Sequence, residues 1–137
     1  MQRWWIYLWP LPITLLGLTL AGIIKTAGGH CERIGNAVEA SNGVAPRILW
    51  LLNPWGKIQA ITLGHVIIAR DGATALRLRA HEHMHVRQYE RWGVIFPFAY
   101  LAASAIAVLK GGDAYRDNVF EQEAFAVQLA GEPRDKL

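Results

Sequence analysis

Residues 4–24, WWIYLWPLPITLLGLTLAGII, carry no charged side chain, and no other feature restricts the fold of this chain as strongly. Wound as a helix, an uncharged run of that length reaches across a hydrocarbon core of roughly 30 Å, which points to a membrane anchor. Trp4, Trp5, Tyr7 and Trp9 gather at one end, as aromatic residues do at a membrane boundary, while Pro10 and Pro12 delay regular helix until about Pro12. A secretory signal is the competing reading, because Arg3 precedes the run, but no A-x-A cleavage pattern comes after it. Residues 1–24 are therefore read as an uncleaved hydrophobic anchor, a transmembrane helix of irregular or short form. Arg3 before it and Lys25, Arg33 and Arg47 after it, offset by Glu32 and Glu39, give a weak charge bias that slightly favours the cytoplasmic side for the rest of the chain.

The remainder, 25–137, fits a single domain with a modest core. With 53% hydrophobic residues and six Trp, the composition again points to membrane lipid as a partner. The net charge is only +3 and the basic residues alternate with Asp and Glu, so there is no phosphate-neutralising stripe and nucleic acid is not an expected partner. Cys31, the sole cysteine, excludes an internal disulfide and any multi-cysteine zinc knuckle. Residues 25–57 read as loop plus a short helix around the apolar patches Val44–Leu52 and Trp55. From Lys57 to Arg70, KIQAITLGHVIIAR reads as one strand or as a hairpin about Leu63-Gly64, closed by the turn dipeptide Asp71-Gly72. The next stretch, ATALRLRAHEHMHVRQYERW, lacks Gly and Pro and stops at Gly93, which predicts a long helix. A second apolar run covers Val94–Leu109, and a last helix is expected over Asn118–Ala130. The fold class expected is α+β, mostly helical, with a short strand or hairpin.

Within the long helix stands His81-Glu82-His83-Met84-His85. Residues four apart share a helix face, so His81 and His85 can aim two imidazole nitrogens at one point, as a tetrahedral Zn2+ requires. Glu82 projects beside that point, where a carboxylate takes a proton from water rather than ligating. A catalytic ion needs a third protein ligand, and the downstream segment FEQEAFA, residues 120–126, is the candidate source.

These residues resemble the gluzincins, zinc metallopeptidases with a His-Glu-x-x-His helix and a glutamate from a later helix. The resemblance covers roughly residues 58–130. The sequence Glu121-Gln122-Glu123-Ala124 is similar to the Glu-x-x-Ala of the CaaX prenyl proteases and ImmA/IrrE-like peptidases. It implies a minimal zincin-like domain, peptide-bond hydrolysis, Glu82 as the catalytic base, and His81, His85 and Glu121 as metal ligands, with Glu123 the alternative to Glu121. Where the prenyl-protease pattern has an Asp after that Ala, this chain has Phe125, leaving Asp117 or Glu123 to support the ligands. His83, Tyr89, Tyr115 and Arg116 are the candidate oxyanion donors. The resemblance also implies that a peptide or protein substrate pairs with an edge strand within Ala60–Ala69. His65 on that run is expected to be structural, and Gln88 to support a ligand by hydrogen bonding.

The run Val94–Leu109 sets a topological constraint. Were it to cross a bilayer, the histidines and Glu121 would fall on opposite sides, so a helix packed back on the active helix or dipping into one leaflet is expected instead. Arg77, Arg79, Arg87, Glu90 and Arg91 argue against a site at bilayer depth. The expected function is peptide hydrolysis at or near a membrane surface. The alternatives are a catalytically inactive zincin-like metal-binding or scaffold protein, and a membrane protein without metal. A chain this short lacks a second lobe, so a homodimer or the bilayer itself would have to wall the cleft.

Overall fold

The computed structural model describes residues 3–54 and 58–131. Trp55 and Lys57 lie outside them. The N-terminal run forms two helices, α1 (Trp5–Leu8) and α2 (Leu11–Thr26), separated at Trp9-Pro10; Pro12 occupies the first turn of α2, where a missing N–H costs nothing. A hairpin comes next, β1 (His30–Ile34) and β2 (Ala37–Ser41), then α3 (Ala45–Leu52), a second hairpin of β3 (Ala60–Leu63) and β4 (Val66–Ala69), and the long α4 (Gly72–Trp92). A 3-10 turn (Gly93–Ile95) leads into α5 (Phe96–Leu109), and α6 (Val119–Gly131) closes the described chain. The architecture is α+β and mostly helical, around a four-stranded mixed sheet in the order β1-β2-β4-β3.

Both hairpins are antiparallel and are joined by a parallel β2–β4 pair, with Ala40 opposite Ile68. Residues 25–57, expected as loop plus helix, thus contain a hairpin closed by Gly35-Asn36, with Gly35 at φ +62°. Strand β4 is buried along its whole length, which explains its unbroken apolar sequence. Val66 and Ile68 face Ala21 and Ile24 of α2 and Ala45, Ile48 and Leu49 of α3. Ile67 faces the other way, with Ala37, onto Val86 of α4.

Helix α2 therefore forms one layer of the fold. Its inner stripe, Thr14, Gly17, Ala21 and Ile24, is mostly small, and Gly17 lets it sit directly on the sheet. Ala21 and Ile24 belong to the same core cluster as the sheet and α3, so a division after residue 24 runs through that cluster. At 16 residues, α2 is an apolar helix shorter than a bilayer span. The one described helical stretch long and apolar enough to cross a membrane, by length and composition, is Gly72–Leu109.

Helix α4 starts where the Asp71 side chain accepts the Thr74 amide at 2.7 Å and ends at Gly93, with φ +60°. Arg79 binds buried Glu39 of β2 at 2.6 and 3.1 Å, fixing the helix across the sheet. After α5 the chain doubles back: the Gly112 amide reaches the Ala107 carbonyl, and the side chain of Asn118 donates to the Tyr100 carbonyl at 3.0 Å and Ser104 Oγ at 2.8 Å. The ligands before and after α5 can thereby meet on one side.

A Cβ at Gly17 would lie 2.7 Å from Val66 Cβ and 2.9 Å from the Leu63 carbonyl oxygen, whereas one at Gly22 would meet nothing within 4 Å. Gly17→Ala should lower unfolding stability by about 2 kcal/mol, and Gly22→Ala should raise it by about 1 kcal/mol through helix propensity. Thermal unfolding of the two variants side by side tests this packing of α2.

Candidate metal centre

Helix spacing puts His81 and His85 one turn apart on α4, and the return at Asn118 brings α6 alongside. Asn118 also accepts the Phe120 amide at 2.9 Å, setting the first turn of α6 just before Glu121. The Glu121 carboxylate then lies between the two imidazoles, with Oε2 at 3.0 Å from His81 Nε2 and Oε1 at 3.4 Å from His85 Nε2. All three side chains are buried, and their ligand atoms lie within 4.8 Å of one another. Donor atoms bound tetrahedrally at about 2.0–2.2 Å stand about 3.3–3.6 Å apart. A buried group of two imidazoles and one carboxylate with these separations could hold a metal ion.

The tautomer of His85 is set by its neighbours. Gln88, fully buried, donates through Nε2 to the Phe120 carbonyl at 3.0 Å and to Glu123 Oε2 at 2.9 Å. Its Oε1 is thereby left to accept from His85 Nδ1 at 2.8 Å, which turns Nε2 toward Glu121. Arg91 binds the other Glu123 oxygen at 3.4 Å. Glu123 is thus an outer support of His85, while Glu121 faces the histidines. Asp117 is exposed and accepts the Asp113 amide, so it supports neither ligand. His81 Nδ1 is buried with no hydrogen-bond partner, and Phe125 packs edge-on against its ring at 4.7 Å.

Burial pushes the Glu121 carboxyl up, but hydrogen bonds from His81 and His85, the charge of His85 and the Tyr100 hydroxyl outweigh it and hold the group down at about 2. Burial pushes His85 down, yet Glu121 and the charge of Glu82 raise it above 6.5 overall.

Glu82, also buried, accepts from the Thr62 hydroxyl at 2.7 Å. Thr62 lies on β3, an edge of the sheet, and the same hydroxyl reaches the Glu82 carbonyl at 3.2 Å. Tyr100 of α5 donates to Glu121 Oε1 at 2.6 Å. Tyr115 packs on Phe125 at 5.6 Å, near enough to Glu121 and Glu82 that, after burial, their charges raise its phenol. The remaining oxyanion candidates lie elsewhere. His83 lines a groove with Leu76, Arg79 and Gln128, Tyr89 packs on Phe96, and Arg116 is in the exposed return segment. His65 pairs with Glu90 at 3.1 Å and stacks on Tyr7, outside the group.

Sequence reasoning missed Thr62, Tyr100 and Asn118. Only Asn118 had a local signal, as a helix-capping residue before an apolar run. Compared with known proteins, the chain matches no protein-family model, no curated protein and no solved structure. The gluzincin resemblance therefore rests on the motif residues alone.

Metal content should be lost in His81→Ala, His85→Ala and Glu121→Ala but retained in Glu123→Ala, whose affinity should fall about 10-fold through the loosened Gln88. A raised His85 must lose its proton before it can ligate, so affinity in a competition titration should decline on acidification already above pH 6.5.

Proposed function

We propose that this protein is a zinc-dependent peptidase acting on peptide or protein substrates at a membrane surface. The observation that carries the reading is the buried convergence of His81, His85 and Glu121 beside a fourth buried ionisable residue, Glu82, which accepts a hydrogen bond from an edge strand. The donor set of two imidazoles and a carboxylate suits Zn2+ with a position left open. A zinc ion held there would polarise a scissile carbonyl and acidify a nearby water.

The protein's own groups do the rest. Glu82 takes the water's proton and returns it to the leaving amine, and the Thr62 hydroxyl holds its carboxylate in one orientation. Strand β4 is paired on both sides, so the substrate-binding edge is narrower than Ala60–Ala69 and is confined to Ala60–Leu63 of β3. One side of β3 pairs with β4, and its other side offers backbone groups to an extended peptide. Tyr115 would donate to the developing oxyanion, and Tyr100 would hold Glu121 in place.

One observation favours a second reading. His81 Nδ1 has no partner where an acceptor would raise the basicity of the ligand, which suits a catalytically silent metal-binding or scaffold protein. Glu82→Gln separates the two: it should keep the full metal complement and lower kcat/KM on a fluorogenic peptide by about 100-fold or more. Metal-loaded wild type that turns over no peptide would select the scaffold, and undiminished cleavage by the variant would remove Glu82 from the mechanism.

A further inference from the structure

Exposed large apolar side chains recur along α1, the Gly93–Ile95 turn and α5. We infer that the outer face of α1, the Gly93–Ile95 turn and α5 rests in the plane of an anionic lipid surface, without crossing the bilayer. Trp4 is 67% exposed, Ile95 49% and Phe98 72%, with Trp5 and Trp92 also exposed. These elements form one face because the Trp9 indole lies over Gly93, so closely that a Cβ there would strike the ring. The outer side of α2 continues it with Leu11, Leu15 and Leu18, all exposed. Contiguous apolar surface of this kind marks a binding face, and tryptophan-rich surface suits the headgroup boundary.

Charge identifies the occupant. Residues 1–31 contain no Asp or Glu, only Arg3 and Lys25, and residues 91–112 again contain none, only Arg91 and Lys110. All of the acidic side chains lie in other parts of the chain. Apolar segments whose own charged groups are all basic complement anionic headgroups; a second copy of the same face would set those like charges against each other. Crossing is opposed by the core contacts of α2 and by the polar segment Lys110–Asn118, which folds back along α5.

This inference rests on the membrane-surface part of the proposal above and not on the metal; vesicle binding is read without turnover, so its failure leaves hydrolysis of soluble peptides open. The test is flotation of the full chain with vesicles of phosphatidylcholine alone or mixed with phosphatidylglycerol. Binding should favour the mixed vesicles, and Arg3→Gln and Lys110→Gln should each weaken it about fivefold. Arg77→Gln, about 24 Å along α4 from Gly93, should leave binding unchanged. Thermal unfolding of each variant checks its fold, and a blue shift of wild-type tryptophan fluorescence on vesicle addition supplies a readout free of substitution. Equal binding to both vesicle types with no effect of Arg3→Gln or Lys110→Gln would overturn the inference. So would resistance to alkaline carbonate extraction from cell membranes, which would mean a crossing, or a stable dimer whose tryptophans ignore vesicles.

Discussion

The Glu121 carboxylate holds α4, α5 and α6 in one arrangement. A buried carboxylate is tolerated only where partners replace water, and this one has His81 and His85 from α4 and Tyr100 from α5. Its partner His85 is braced in turn by Gln88, itself bound to Glu123 and the Phe120 carbonyl of α6. The joint between these helices is thus specified by hydrogen-bond geometry as much as by apolar area, since a shift of one turn in α6 would strand a buried charge. A cation at the same point would take the place of the direct His–Glu121 contacts and leave the braces intact.

The other half of the molecule is held differently. There the sheet is covered by α2 and α3 through an apolar cluster composed mainly of Ala, Ile, Val and Leu. Helix α2 turns its small residues inward and much of its leucine outward, the reverse of a helix in a water-soluble domain. Small inner residues let the helix axis approach the sheet closely, as Gly17 against Val66 demonstrates. One uncharged segment can therefore satisfy core packing and present an apolar exterior.

Features set by local chemistry were legible in the sequence. The Asp71-Gly72 turn, the stretch free of Gly and Pro and the Gly93 stop bounded α4, and the Ile/Val-rich run before them marked the β3–β4 region. The β1–β2 hairpin was not recognised, because HCERI is mostly exposed and AVEAS is built of small residues that take strand form through pairing with β4. Its turn, Gly35-Asn36, did carry a hairpin signal. Thr62 and Tyr100 were beyond reach, since nothing near them in sequence announces that a strand edge would meet Glu82 or that α5 would meet Glu121. The choice between Glu121 and Glu123 depended likewise on which face of α6 the Asn118 clamp would turn toward α4.

The length of α5 bears on where such a centre can operate. Its 14 residues rise about 21 Å, short of the roughly 30 Å of a hydrocarbon core. Beyond it come Lys110, Asp113, Arg116 and Asp117, exposed on a segment that returns to the level of Tyr100. Driving α5 into lipid to the depth of a crossing would carry these charges and the non-helical backbone around them into hydrocarbon. Helix α4 sets the same limit from the other direction, because Arg77, Arg87 and Arg91 are exposed along the helix that bears the histidines. The centre beside these two helices can therefore approach a bilayer from the side without its charged helices entering hydrocarbon.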